Sequence, residues 1–230
     1  MENLFIVFII AAVAVVFYSV YRKSAVVKRS EVIDSYQFPA SISDKVREKY
    51  PHLTDQQLNL VIAGLREYFH ICNLAGRKMV SMPSEVVDVA WHEFILFTKN
   101  YQQFCHGALG RFLHHIPAEA MNSATDAQKG IKRAWQISCK REHIAPKTPL
   151  TLPLLFAMDD KLAIPDGFIY SRNCKTNNRK NANNATPAIA GAGIIYCAGD
   201  IGCSSGCGGG GCGGDSGGGD GGGSGCGGGD

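Results

Sequence analysis

The sequence predicts an all-α protein with an N-terminal single transmembrane helix, a compact multi-helix domain and a disordered Gly/Cys-rich C-terminal tail. Three observations predict it. Residues 4–21 are apolar and uncharged. Apolar side chains then recur at helical spacing, broken by prolines and capping residues, as far as residue 170. Residues 199–230 are mostly glycine, with cysteine, serine and aspartate, and have almost nothing to bury.

At about 1.5 Å per residue, the run at residues 4–21 extends roughly 27 Å, close to the hydrocarbon thickness of a bilayer. Arg22, Lys23, Lys28 and Arg29 follow it, and Glu2 is the only charged side chain before it. The excess of cations on one flank places the N-terminus outside and the rest of the chain in the cytoplasm. A cleaved signal peptide needs a basic region before the apolar run and a small-x-small site after it, and neither is present. The expected localisation is therefore a cell membrane, with one span.

Residues 22–40 read as a juxtamembrane connector with Pro39 as its stop, and residues 41–170 as the helical domain. A first helix is expected over residues 43–50, ending before Pro51. Thr54 and Gln57 then form a capping box, with Leu53 placed to staple onto Leu58. Leu58, Val61, Ile62, Leu65, Phe69 and Cys72 make one helical stripe, which Gly76 ends in a left-handed turn. His70 lies beside that stripe and reads as a hydrogen-bonded boundary residue. Pro83 suits the first turn of the next helix, and Glu85 complements its positive end.

That helix carries Val86, Val87, Ala90, Phe94 and Phe97, with Asp88 and His92 one turn apart. Thr98 is expected to break it and cap another, containing Tyr101, Phe104 and Cys105. Gly107 and Gly110 allow a turn before residues 112–115, and Pro117 stops the chain from continuing as helix. Thr125 and Gln128 form a second capping box for a helix with Ile131, Ala134, Trp135 and Ser138 on one side. Residues 154–162 are a short apolar helix, and Pro165, Asp166 and Gly167 a turn. Residues 171–198 divide into a polar, asparagine-rich linker and a weakly apolar, strand-like stretch at 187–198.

Nine cysteines in 230 residues invite a disulfide scaffold, but their positions argue against it. Cys72, Cys105 and Cys139 sit in helical patterns, where a thiol acts as a small buried apolar group. Cys203, Cys207, Cys212 and Cys226 sit in glycine, where no packing would hold a bridge. Those tail thiols have three readings: a soft-metal site for copper(I) or zinc, a tether for a partner, or a solvated linker. A net charge of +3 gives no global field for nucleic acid, and the tail lacks the arginines and aromatics that hold single strands. No nucleic-acid partner is expected; the membrane is, and a protein partner through the domain or tail remains open.

The central residues suggest chemistry. Imidazoles suit zinc, iron or copper, and three protein ligands with one open position is the usual catalytic zinc arrangement. His92, His114 and His115, with Asp88 or Cys105, form the candidate metal set. Asp88 can instead orient an imidazole as a partner carboxylate. Adjacent histidines point apart, so only one of His114 and His115 is expected to face His92. A structural reading competes, in which both rings cap the carbonyls at a helix end. Cys105 and His106 diverge by about 100° on a helix and do not make a thiolate–base pair. No P-loop, nucleophile elbow or dinucleotide fingerprint occurs.

Several motifs together resemble the family of glycine-rich domain-containing proteins, which has plant and bacterial membrane-anchored members. They are Lys49-Tyr50-Pro51, Leu65-Arg66-x-Tyr68-Phe69, Met82-Pro83-Ser84 and Val87-Asp88-x-x-Trp91-His92. They continue with Phe104-Cys105, Phe112-Leu113-His114-His115, Pro117, Trp135, Cys139, Glu142 and residues 152–157. The resemblance implies an all-helical domain with a glycine-rich terminus and brings no established reaction. Many relatives carry a second histidine two positions after the Trp-His pair, where this chain has Phe94. Two function classes follow. The first is an interaction or scaffold module, which the sequence favours. The second is a metal-binding protein or metal-dependent enzyme centred on the Trp-His and His-His motifs.

Overall fold

The computed structural model describes residues 2–116, 124–172, 195–197 and 201. Helix α1 runs without interruption from Glu2 to Ser35. From Phe5 it is long and apolar enough to cross a membrane, and residues 5–21 are solvent-exposed. The expected connector is therefore largely helix. No glycine or proline interrupts it before Pro39, and Val26, Ser30 and Ile33 line one side that packs on the domain. Ile33 is completely buried.

Six further helices build the domain. They are α2 (Ala40–Lys49), α3 (Asp55–Ala75), α4 (Glu85–Leu96), α5 (Thr98–Leu109), α6 (Ala124–Arg141) and α7 (Leu154–Lys161). Helix α2 starts three residues earlier than expected, directly after Pro39 at its N-cap. Helix α3 begins as its sequence dictates. Gln57 N donates to Thr54 Oγ1 at 3.3 Å and Thr54 N to Gln57 Oε1 at 2.9 Å. It ends at Gly76, whose φ of 63° a side chain would disfavour. The Thr125–Gln128 capping box falls outside the described side chains, as does Pro117.

The start of α4 differs from expectation. Pro83 lies before the helix, and Ser84 is the cap, accepting from Val87 N. Asp159 of α7 completes that end. Its carboxylate accepts from Ser84 Oγ (2.6 Å), Glu85 N (2.7 Å), Val86 N (3.3 Å) and Phe168 N (2.9 Å). Glu142 does the same for α7, accepting from Leu154 N. The break between α4 and α5 falls on Phe97 rather than Thr98, at φ −78° and ψ 58°, with no side-chain cap.

Helix α3 is the axis against which the rest pack. It lies antiparallel to the end of α1. Arg66 donates to the carbonyls of Ile33, Asp34 and Tyr36, His70 Nε2 bonds Asp34 at 2.8 Å, and Asn73 Nδ2 donates to the Val26 carbonyl at 3.0 Å. His70 is thus the boundary residue expected, joining two helices. Arg141 forks onto Glu67 and ties α6 to α3. Inside, Phe69, Phe94 and Phe104 interlock with Phe38 in edge-on, tilted and stacked ring contacts 4.7–6.2 Å apart. Cys72, Cys105 and Cys139 are buried and free.

The folded body continues past residue 170. Strand β1 (Ile169–Ser171) pairs in parallel with β2 (Ile195–Cys197), which comes from the strand-like stretch at 187–198. Ile201 packs against the core just beyond it. Residues 173–194 of the linker, and the tail with Cys203, Cys207, Cys212 and Cys226, lie outside the described residues.

Candidate metal centre

Asp88 and His92 stand one turn apart on α4, so both project to the same side. The third member arrives from elsewhere. Gly110, in the left-handed conformation, ends α5. Residues 111–116 then return over α4 without regular secondary structure, so the His-His pair is not at a helix end and caps no helix. A short polar chain pins this return. Trp91 Nε1 donates to Tyr101 Oη at 3.1 Å, and Tyr101 Oη donates to the Leu113 carbonyl at 2.5 Å.

Two residues past that anchor, the His115 ring lies 4.6 Å from Trp91 and 4.1 Å from His92, centroid to centroid. His115 Nε2 bonds Asp88 Oδ1 at 3.1 Å, and His115 Nδ1 is 3.3 Å from His92 Nε2. Asp88 Oδ2 lies 3.7 Å from His92 Nε2. A carboxylate only accepts, so His115 Nε2 donates to Asp88, and Nδ1 is the ring nitrogen that faces His92. Asp88 and His115 are four-fifths buried, whereas half of the His92 side chain is exposed.

These three residues offer one donor atom each, all within 4.8 Å of one another. Tetrahedral donors at zinc–nitrogen bond lengths stand about 3.3–3.4 Å apart, so the His92–His115 separation suits a shared ion. It equally suits a direct hydrogen bond between the rings. Either way, Asp88 holds His115 in the tautomer and orientation both arrangements need.

The other candidates fall elsewhere. His114 leaves the chain on the opposite side and packs edge-on against Phe112 at 4.8 Å, exposed to solvent. Cys105 is fully buried, beside Tyr101 and the Leu113 backbone, and burial pushes its thiol above the ordinary range. Phe94 is wholly in the aromatic core, so its side chain faces away from the solvent-open His92. Sequence reasoning missed the positioning pair Trp91 and Tyr101. Their signal was only that both carry a polar atom on a large ring, which needs a partner when buried.

No curated protein and no solved structure matches the chain. The family whose model does match is not the glycine-rich domain family that the motifs resemble, so that resemblance is corrected. The matched residues, 28–201, run from the part of α1 that packs on the domain to Ile201, and so take in the whole site. On that match, the chain belongs to the UCP032817-like family.

Proposed function

We propose that this is a single-pass membrane protein whose cytoplasmic helical domain binds one divalent transition-metal ion through Asp88, His92 and His115. The convergence of two imidazoles and a carboxylate from positions up to 27 residues apart carries the reading. Two histidines and one carboxylate suit zinc or iron, with copper as a competitor for the imidazoles. The half-exposed His92 leaves coordination positions open toward solvent, where a water or a small ligand can bind. Support for the span comes from the length of the apolar run in α1, and for the orientation from Arg22, Lys23, Lys28 and Arg29 just after it.

Elemental analysis and metal titration of the detergent-solubilised full chain test the site. One bound ion per chain is expected, lost in His92→Ala and in His115→Ala and kept in His114→Ala. A folded wild type that takes up no ion ends the metal reading and favours the interaction module. Labelling of intact cells with a membrane-impermeant thiol reagent tests the orientation, since reaction of the tail thiols would reverse it.

A further inference from the structure

The end of the domain next to the anchor has a composition unlike the rest of its surface. Both α3 and α5 run toward that end. Along α3, Arg66, His70 and Asn73 meet α1 progressively nearer the apolar run, and Gly76 sits against the Arg22 guanidinium. Along α5, Gly107 lies at Val32 and Gly110 against Arg29. The Val26 carbonyl held by Asn73 is only five residues, about 7 Å of helix, beyond Tyr21. The chain from Leu74 to Lys78 continues from there toward the anchor. A bilayer's polar layer is roughly 5–7 Å deep on each side, so these residues fall at headgroup level.

The charge at this end is of one sign. The three segments that form it, residues 22–30, 73–78 and 107–112, hold seven lysines or arginines and no aspartate or glutamate. Part of that charge serves the fold. Arg22 and Arg29 lie beside the glycines that end α3 and α5, and Arg111 Nε donates to the Gly76 carbonyl at 3.0 Å. Lys23, Lys28, Arg77 and Lys78 are exposed and make no ion pair among the described residues. Exposed Leu74 and Phe112 stand among them, 46% and 39% accessible.

We propose that this face lies on the membrane, with Lys23, Lys28, Arg77 and Lys78 binding the phosphates of anionic phospholipids and Leu74 and Phe112 entering the interface. The proposal rests on the reading that α1 spans the bilayer. An uninterrupted helix fixes where the domain sits relative to the anchor, and charge complementarity names the occupant. A basic juxtamembrane segment alone would attract such lipids. Here the folded domain adds a second set of cations at the same level.

The test uses the full chain in vesicles of phosphatidylcholine, with or without phosphatidylglycerol, doped with a lipid carrying a nitroxide on its headgroup. A tryptophan placed by Leu74→Trp should be quenched strongly in the phosphatidylglycerol vesicles and less in phosphatidylcholine alone. One placed by Leu96→Trp, at the end of α4 and next to the start of α5 that lies away from the anchor, should not be quenched in either. The reversal Arg77→Glu with Lys78→Glu should remove the phosphatidylglycerol dependence. The native Trp91 and Trp135, both buried, give the common background. Equal quenching at the two sites, or none at Leu74→Trp in a chain that resists carbonate extraction at full mass, overturns the docking. A chain that carbonate extracts, or that has lost its first residues, overturns the spanning reading itself and the docking with it.

Discussion

Asp159→Ala should be among the most damaging single substitutions in the domain. The carboxylate is 2% exposed and accepts four hydrogen bonds, three from the beginning of α4 and one from Phe168 N after α7. Alanine leaves a small cavity and strands those donors. The Ser84 hydroxyl can turn and Val86 N is held only at 3.3 Å, so Glu85 N and Phe168 N bear most of the loss. At about 1.5–2 kcal/mol for each bond to a charged acceptor, the cost is roughly 3–4 kcal/mol. For a domain of this size that is a fall in Tm of about 10–15 °C, measured by circular dichroism of the full chain in detergent. The pH dependence has a definite sign. Burial raises the Asp159 carboxyl above its ordinary 3.8, outweighing the four donors that pull it down. Folding then tightens proton binding, so the stability linked to this titration is complete below 3.8 and is lost as the pH climbs through the raised value. The gap between wild type and variant should narrow from acid toward neutral pH. A loss under 1 kcal/mol, or a gap that widens as the pH rises, would refute the reasoning.

Other substitutions test separate links. Arg66→Ala frees the carbonyls of Ile33, Asp34 and Tyr36 and should cost about 2–3 kcal/mol; Arg66→Lys should rescue little, because an ammonium lacks the planar fork. Gly130→Ala sets a methyl against Ser81, including its backbone N at 2.9 Å, which cannot swing away, and should cost about 1–3 kcal/mol in urea unfolding. Tyr101→Phe cuts the link from Trp91 to the Leu113 carbonyl. It should weaken metal binding about 10-fold with the helical spectrum retained, which titration calorimetry would detect. The Cys72 thiol, pushed up to about 12 by burial, has a thiolate fraction of roughly 10⁻⁴ at pH 8. It should resist iodoacetamide in the native chain and react in urea, as peptide mass mapping would show.

The legible features are those carried by neighbours in sequence. The Thr54–Gln57 box forms because its bonds join residues three apart, and Gly76 and Gly110 end helices because only their own φ is at stake. The Leu58–Cys72 stripe faces the core because helical period is a local property. The Asp88–His92 half of the candidate site is legible on the same ground. His115 is not. Its place depends on where the return from Gly110 is pinned, and the pin is a bond between Tyr101 and Leu113, together with Trp91 beneath it. The choice of His115 over His114 follows from that anchor, and the adjacent side chain is sent to the other side.

The sequence by itself determined the long apolar N-terminal helix, the helical period of the domain and most helix ends, because each depends on side chains within a turn or two of one another. The tertiary structure alone decided that α1 continues into the domain, that Asp159 caps a helix 74 residues away, and that His115 joins Asp88 and His92. Those outcomes rest on surfaces and hydrogen-bond partners that meet only when the helices pack, and no local pattern encodes which distant group will be waiting.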